Sequence, residues 1–290
     1  MKTFLCKNIF FIAFFCLTGC GNEDLPQYTK LDRLRILAIT TPTPEIQNPA
    51  GGVVNVNITP YLSDVSGSGN LTLTIQSCLD PGTSLGVAPT CEGGTFASTP
   101  QTVSVTAPAG QADGTFGSPE RTGAPSTGAI TVGLNVPAGL LSAYSASAQN
   151  NGVPYLITVT VNSSSGSIRA FRRILFSTKT VNSNPVLADL FSQGASLTVR
   201  PTSDVDLSFT AAGSPETYNI LGTDGVIRSE TEIFETTWFI SDGEILNPRT
   251  KVGETTKWSA GSAPQGRKTV VSGVLRDGRG GVSVMIRTLN

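Results

Sequence analysis

The side chains that most often carry out catalysis are missing from this chain. It has no histidine among its 290 residues, which excludes a Ser-His-Asp or Cys-His nucleophile and a zinc-protease helix. No serine stands three positions before a lysine, so a Ser-x-x-Lys dyad is missing as well. Gly278, Gly280 and Gly281 lie between strand-like segments and lack the Lys-Ser/Thr pair and the helix of a phosphate-binding loop. The sequence therefore predicts that the protein is not an enzyme.

Acidic side chains are the remaining candidates for chemistry, because a glycosidase needs one proton-donating and one charged carboxyl on either side of a cleft. The candidates are Asp204 and Asp206, two positions apart on one strand face, and Glu230, Glu232 and Glu235 ahead of Trp238. No aromatic platform for a sugar accompanies them, so a solvated strand face and loop is the favoured interpretation. The alternative is a carbohydrate module that uses Trp258 and Glu232 as its ligand surface.

Four Asp-Gly steps could offer carboxylate and carbonyl oxygens to calcium. They begin at Asp113, Asp224, Asp242 and Asp277. Asp-Gly is more often a tight turn, because glycine adopts the positive φ that such a turn requires. We therefore expect turns and no metal site.

The first nineteen residues have the layout of a secretory signal peptide. Lys2 and Lys7 precede an apolar stretch from Ile9 to Leu17, and no acidic residue occurs before Glu23. This stretch is about half of the ~20 residues needed to span a bilayer, which disfavours an uncleaved membrane helix. No later segment is apolar and long enough to span, so the rest of the chain is expected outside the cytoplasm.

The tetrad Leu17-Thr18-Gly19-Cys20 resembles the lipobox of bacterial lipoproteins, in which a small residue precedes the cysteine that receives lipid. The resemblance implies cleavage after residue 19, acylation of Cys20 by chains such as palmitate, and no other cofactor. Two or more acyl chains attach a protein stably to a membrane. Gly21 stands where many lipoproteins of the inner membrane have aspartate, which favours the outer membrane and leaves the exposed face open. Residues 20–31 are expected to form a flexible tether.

The charge and the cysteines narrow the environment further. Without Lys2 and Lys7 the chain has 18 basic and 21 acidic residues, a formal charge of −3. Such a weak balance argues against nucleic acid or an anionic lipid surface as partner. Cys78 and Cys91 remain after signal removal and lipidation, and the oxidising envelope favours a disulfide between them over two free thiols.

Residues 32–181 contain seven segments rich in Val, Ile, Leu and Thr and bounded by turn residues, which is typical of strands. They lie near Leu34–Thr41, Val53–Thr59, Leu71–Ser77, Thr102–Thr106, Ala129–Val136, Tyr155–Asn162 and Ile168–Phe176. Apolar and polar residues alternate in the second and third, as in strands with one face on a core. Seven strands suit a β-sandwich, with long loops between Asp80 and Thr127. Arg169, Arg172 and Arg173 are expected at a solvated strand edge.

Residues 182–290 form the second predicted unit, which follows a polar break ending in Pro185. Its strand candidates are Ser196–Arg200, Val205–Thr210, Glu235–Ser241, Thr255–Ser259, Lys268–Arg276 and Val282–Leu289. A short helical turn is expected near Leu187–Phe191. The predicted fold class is therefore all-β, with two β-sandwich domains in tandem.

Two motifs in the second unit resemble PKD-type immunoglobulin-like domains. The stretch Trp238-Phe239-Ile240-Ser241-Asp242-Gly243 resembles their tryptophan-to-Asp-Gly turn, although the family usually has Phe-Gly before Asp-Gly. The segment from Thr269 to Val282 resembles their closing hairpin. The first unit resembles immunoglobulin-like modules of surface lipoproteins more loosely, through Leu34–Ile39. Trp238 and Trp258 lie in apolar strand patterns and are expected in the core or at its edge.

These resemblances imply a protein that binds, spaces or presents and does not catalyse. We expect a membrane-anchored, non-enzymatic lipoprotein of the cell envelope whose immunoglobulin-like domains contact an envelope protein or a surface polysaccharide. A carbohydrate-binding or carbohydrate-active module and a structural spacer are the alternatives.

Overall fold

The computed structural model describes residues 28–63, 70–82, 87–106, 122–125, 127–164, 166–262 and 268–290. The predicted signal peptide, Cys20 and Asp113 lie outside these residues. Among the described residues, no helix is both long enough and apolar enough to cross a membrane.

The first unit, the N-terminal sandwich, has eight strands in two sheets within its described residues. The strands are β1 (Arg35–Thr40), β2 (Glu45–Gln47), β3 (Gly52–Ser63), β4 (Asn70–Leu79), β5 (Gln101–Thr106), β6 (Ile130–Val136), β7 (Val153–Ser163) and β8 (Gly166–Ser177). One sheet has the order β1-β3-β6 and the other the order β2-β8-β7-β4-β5. All pairings are antiparallel except β2 with β8. All seven predicted strands are present, and short β2 is an addition.

Alternation of side chains explains how these sheets form a core. In β3, Val56 and Ile58 are buried while Asn55 and Asn57 are exposed, because successive residues of a strand point to opposite faces. Strand β7 lies between β4 and β8 and is buried along most of its length. At its start, the ring of Tyr155 packs edge-to-face on Phe176 with 5.0 Å between centroids.

The second unit, the C-terminal sandwich, repeats the arrangement. Its strands are β9 (Val186–Ser192), β10 (Ala195–Ser196), β11 (Val205–Ala212), β12 (Thr217–Leu221), β13 (Ile227–Thr231), β14 (Glu235–Ile240), β15 (Glu244–Ile245), β16 (Arg249–Lys251), β17 (Thr256–Ser259), β18 (Thr269–Arg276) and β19 (Val282–Leu289). Its sheets have the orders β10-β9-β11-β17-β15 and β16-β14-β18-β19, and β12 and β13 form a separate hairpin.

In each unit the chain passes between two mainly antiparallel sheets, which is the sandwich architecture of immunoglobulin-like domains. The prediction of an all-β chain with tandem immunoglobulin-like sandwiches is confirmed. Trp238 and Trp258 are both fully buried in the C-terminal core, as expected. Their indole N–H groups donate to Thr250 Oγ1 at 2.8 Å and to the Asp242 carbonyl at 3.1 Å.

The predicted helical turn near Leu187–Phe191 is wrong, because this segment lies in strand β9. Leu187 and Leu190 are both buried, and their spacing of three suggested a helix. A register shift lets a strand bury both leucines as well. Asp189 pairs with Thr210 and Leu187 pairs with Ala211, so that Ala188 is skipped. An extra residue of this kind returns the next side chain to the same face.

Other local predictions also need correction. Strand β10 is Ala195–Ser196, so only Ser196 of the strand expected at Ser196–Arg200 lies in it. The hairpin β12–β13 and the helix α1 (Ala146–Asn151), whose first turn is capped by Ser145 Oγ, were not predicted. Hydrophobic periodicity finds neither, because every residue of β13 is exposed and no residue of α1 is buried.

The two sandwiches meet through an apolar interface. A bulge in β1, where Ile36 pairs with Leu62 and Ala38 with Tyr61, turns Leu37 and Ala38 toward the second unit. There they pack in one cluster with Phe239, Val270, Val274, Val282 and Leu31. The interface therefore uses residues that a single strand pattern would assign to the outer face of a sheet.

Residues 29–31 belong to this interface and are not part of a free tether. Leu31 N–H donates to the Ile240 carbonyl at 2.7 Å, and Ile240 N–H donates to the Thr29 carbonyl at 2.9 Å. Thr29 and Leu31 are buried. The expected tether at residues 20–31 is therefore too long, because its last residues are fixed on β14 of the C-terminal sandwich.

A disulfide joins Cys78 at the end of β4 to Cys91, with 5.4 Å between their Cα atoms. This confirms the predicted pairing. Both half-cystines are buried and pack against Leu156 of β7. The bond fastens the connection between β4 and β5 to the sheet, in a region where the sequence predicted only loops around one strand.

Replacing both half-cystines, as in Cys78→Ala/Cys91→Ala, should lower the free energy of unfolding by about 3 kcal/mol, because the unfolded chain loses its cross-link. Urea unfolding with and without reductant would measure this. Reductant should lower the stability of the wild type to that of the variant and leave the variant unchanged. Equal stability of the two proteins under oxidising conditions would contradict the prediction.

Candidate functional site

The structure does not bring the sequence-predicted ligand residues together at a surface. Trp258 is 0% exposed and lies in the C-terminal core, and Glu232 is 6% exposed. The hypothesis that these two form a ligand surface is therefore corrected, since neither presents a face to solvent. Asp204 forms an exposed ion pair with Lys257 at 3.3 Å, and Asp206 is also exposed. Both observations agree with the predicted solvated strand face.

Three of the four Asp-Gly steps are turns, and the fourth lies outside the described residues. Gly225, Gly243 and Gly278 have φ values of 77°, 77° and 84°, the left-handed region that glycine enters without steric cost. In the described part of the chain no group of three or more acidic, cysteine or histidine residues is arranged to hold a metal ion. These aspartates therefore have other partners.

A buried ionic cluster at the contact between the sandwiches is the most unusual polar feature of the described chain. We call it the junction cluster. Its members come from four separate segments and are Glu45, Lys179, Asn182, Glu216, Tyr218, Glu232, Asp277 and Arg279. Sequence reasoning considered Glu232 and Asp277 for other roles and missed the rest.

Arg279 is the centre of the cluster. Its guanidinium lies 3.3 Å from Glu45, 3.2 Å from Glu232 and 3.4 Å from Glu216. The side chains of Arg279, Glu45 and Glu232 are 7%, 1% and 2% exposed. The guanidinium carbon also lies 4.3 Å from the centre of the Tyr218 ring, a cation–π distance. One cation thus contacts a residue of the N-terminal sandwich and three residues at the base of the β12–β13 hairpin.

Each member is positioned by the strand or turn that carries it. Parallel pairing with β8 places Glu45 at the end of the N-terminal sandwich. The linker after β8 brings Asn182, whose N–H donates to Glu45 at 2.9 Å and whose side-chain amide donates to Asp277 at 2.8 Å. Asp277 in turn accepts the N–H groups of Arg279 and Gly281. The turn between β18 and β19 is thereby locked to the linker.

Burial shifts the ionisation of this cluster in both directions. Burial raises the pKa of Glu232, although the N–H of Glu216 and the charge of Arg279 oppose the shift. Burial also lowers the pKa of Lys179, against the attraction of Glu45 at 3.7 Å. Both shifts disfavour charge. The charge of Arg279 opposes the shift of Glu232 but adds to the shift of Lys179, whose opposing charge is Glu45.

An open cleft of about 480 Å³ lies beside the cluster. We call it the junction cleft. Its walls come from the N-terminal sandwich, the linker and the hairpin, and they include Gln47, Asn150, Thr178, Thr180, Lys179, Thr217, Tyr218 and Asn219. Amide and hydroxyl groups of this kind both donate and accept hydrogen bonds. The cleft can therefore hold a polar ligand by hydrogen bonding, and its size lies in the range of ligand sites.

No protein-family model matches the chain, and no curated protein does. The crystal structure of the two tandem V-type regions of VCBP3, a v-region-containing chitin-binding protein, is similar to 88% of this chain and 100% of that one, at 10% identity and a TM-score of 0.28. A similarity this low carries no argument about fold or function.

Removing the central cation should destabilise the protein strongly. Arg279→Met leaves Glu45 and Glu232 buried without a guanidinium, and we expect the free energy of unfolding to fall by about 3–5 kcal/mol at neutral pH. Without the cation the pKa of Glu232 should rise further above its unfolded value. A group whose pKa is raised by folding stabilises the fold at low pH, and this contribution is lost as the pH rises. The loss should therefore be larger at about pH 7 than at about pH 4.

Urea unfolding of wild type and variant at the two pH values measures this difference. Arg228→Met is the matched control, because Arg228 pairs with Asp224 on the exposed hairpin and such pairs contribute little. A loss in Arg279→Met that is no larger than in Arg228→Met would show that the junction cluster does not hold the fold.

Proposed function

We propose that this chain is a lipid-anchored, non-enzymatic binding protein of a bacterial cell envelope. Its two sandwiches hold the junction cleft in a fixed shape, and the cleft contacts an envelope protein or a surface polysaccharide. The observation that carries the proposal is that one cleft is lined by both sandwiches, their linker and a projecting hairpin.

The fixed shape of the cleft supports a binding role. Lys179 of the linker and Tyr218 of the hairpin both line the cleft, with 5.5 Å from Nζ to the ring centre. Across the contact between the sandwiches, Ser147 Oγ and the Asn151 amide of α1 donate to the Leu221 carbonyl at 2.6 Å and 2.8 Å. A site whose walls are held in place before binding loses less entropy when a ligand arrives.

The position of residues 29–31 supports attachment close to a membrane. Thr29 and Leu31 are fixed on β14, so only the residues between Cys20 and Tyr28 would separate the body from the lipid. An extended chain spans at most about 3.6 Å per residue, or about 30 Å over this length. A lipid on Cys20 would therefore hold both sandwiches near the bilayer surface.

The anchor is tested by substitution of the cysteine. Wild-type protein from a host with lipoprotein-processing enzymes should enter the detergent phase of a temperature-induced partition, and its N-terminal peptide should carry the mass of acyl chains on Cys20. The variant Cys20→Ser should remain in the aqueous phase. An unmodified N-terminus in the wild type, together with aqueous partition, would refute the anchor.

Partner contact is tested by photocrosslinking from both walls of the cleft. A benzophenone amino acid at Asn150, on the N-terminal sandwich, and at Asn219, on the hairpin, should give the same crosslinked product in intact cells. The exposed Thr102 on β5 provides the control position and should not give that product. No product from either wall, or the same product from Thr102, would favour a spacer without a ligand.

A further inference from the structure

A second cavity, of about 350 Å³, opens at the contact between the sandwiches. It lies between β1, β8 and the β18–β19 hairpin. We call it the arginine pocket. The residues that decide its chemistry are Arg169, Arg172, Arg276, Leu37, Ala38 and Val282. The sequence predicted Arg172 at a solvated strand edge, which is wrong, because this side chain is buried against the second unit.

The three arginines of this pocket have only neutral hydrogen-bond partners among the described residues. Arg172 donates to the Gly280 carbonyl, Arg276 to Thr237 Oγ1 at 3.0 Å and Arg169 to Thr160 Oγ1 at 3.4 Å. None of the three forms an ion pair within the described chain. Arg279 in the junction cluster, by contrast, has three carboxylates.

Arg172 also retains an unused donor. The residue is 8% exposed, and its Nε–H has no acceptor in the described part of the protein. A buried donor without a partner costs free energy, and the cost is larger for a charged group. The pocket therefore contains hydrogen-bonding capacity that an anionic acceptor could satisfy.

The electrostatics of the arginine pocket also favour an anion. Burial lowers the pKa of Arg172 to about 10, and the nearby charge of Arg276 adds to the shift while Asp277 opposes it. Burial lowers the pKa of Arg276 as well, followed by the repulsion of Arg249 and against the attraction of Glu235. Positive charge is thus unfavourable in this pocket as it stands, and a bound anion would reduce that cost.

The remaining wall is apolar. Leu37, Ala38 and Val282 are buried residues of the interface between the sandwiches, and they line the same cavity as the arginines. A bare inorganic anion would leave this wall without contacts. A ligand with one carboxylate and a short hydrocarbon chain would satisfy both parts, because guanidinium binds carboxylate in a forked geometry and apolar burial is favourable.

We propose that the arginine pocket binds an alkyl carboxylate, with the carboxylate on Arg172 and Arg276 and the chain on the apolar wall of β1 and β19. This site is separate from the junction cleft, and the proposal does not depend on a partner binding there.

The test uses decanoate below its critical micelle concentration and the full chain carrying Cys20→Ser, purified without detergent. Isothermal titration calorimetry should show one decanoate bound per chain. Decanol, which has the chain without the charge, and acetate, which has the charge without the chain, should each bind about tenfold or more weakly. Decyltrimethylammonium should not compete with decanoate.

The variants Arg172→Gln and Arg276→Gln should each weaken decanoate binding by about tenfold or more. Arg228→Gln on the exposed hairpin should bind as the wild type does. Circular dichroism checks that each variant is folded, and the comparison of the four ligands on the wild type stands even where a variant is not. Absence of decanoate binding, equal binding of decanol, or unchanged binding in both folded pocket variants would overturn the proposal.

Discussion

A buried guanidinium is costly unless opposite charges and hydrogen bonds compensate its desolvation, and the compensation of Arg279 shapes the contact between the two sandwiches. The opposite charges are Glu45 from the first unit and Glu216 and Glu232 from the base of the hairpin. Separating the units would take Glu45 away from Arg279 and leave this buried carboxylate without the cation, while Glu216 and Glu232 would stay with Arg279 in the second unit. The relative position of the sandwiches is therefore fixed by charge as well as by packing.

The apolar contacts of the interface favour association of the two sandwiches, whereas the ionic contacts fix their orientation. Contacts among Leu37, Phe239 and Val274 bury hydrocarbon without a preferred direction, so they favour association but tolerate sliding. Buried ion pairs add little net stability, because desolvation offsets their attraction. Their distances and angles are strict, however. Arg279 and its partners thus select one orientation of a contact that the apolar residues make favourable.

The sequence predicted features that depend on local patterns and missed those that depend on distant pairing. Alternation in β3 and β4, the burial of Trp238 and the pairing of Cys78 with Cys91 are all local or compositional signals, and the structure agrees with them. Glu45 and Arg279 are 234 positions apart, and no periodicity links them. Arg172 pairs with Ile157 and lies on the same face of β8 as the core residues Ile174 and Phe176. The expectation of a solvated edge came from the cluster of arginines around it, and its contact with Gly280 of the second sandwich leaves no trace in the pattern of one strand.

The glycines between β18 and β19 show why such positions escape sequence reasoning. They do not form a phosphate-binding loop. They allow backbone angles and close contacts that a side chain would prevent. Gly278 and Gly280 have φ values of 84° and 111°, and a Cβ at Gly281 would overlap the Asp277 carboxylate and the Pro185 ring. This tight turn sends the Arg279 side chain into the junction cluster and the Gly280 carbonyl to Arg172. One short turn therefore supplies a partner to each of the two cation sites, so a movement of its backbone would alter both at once.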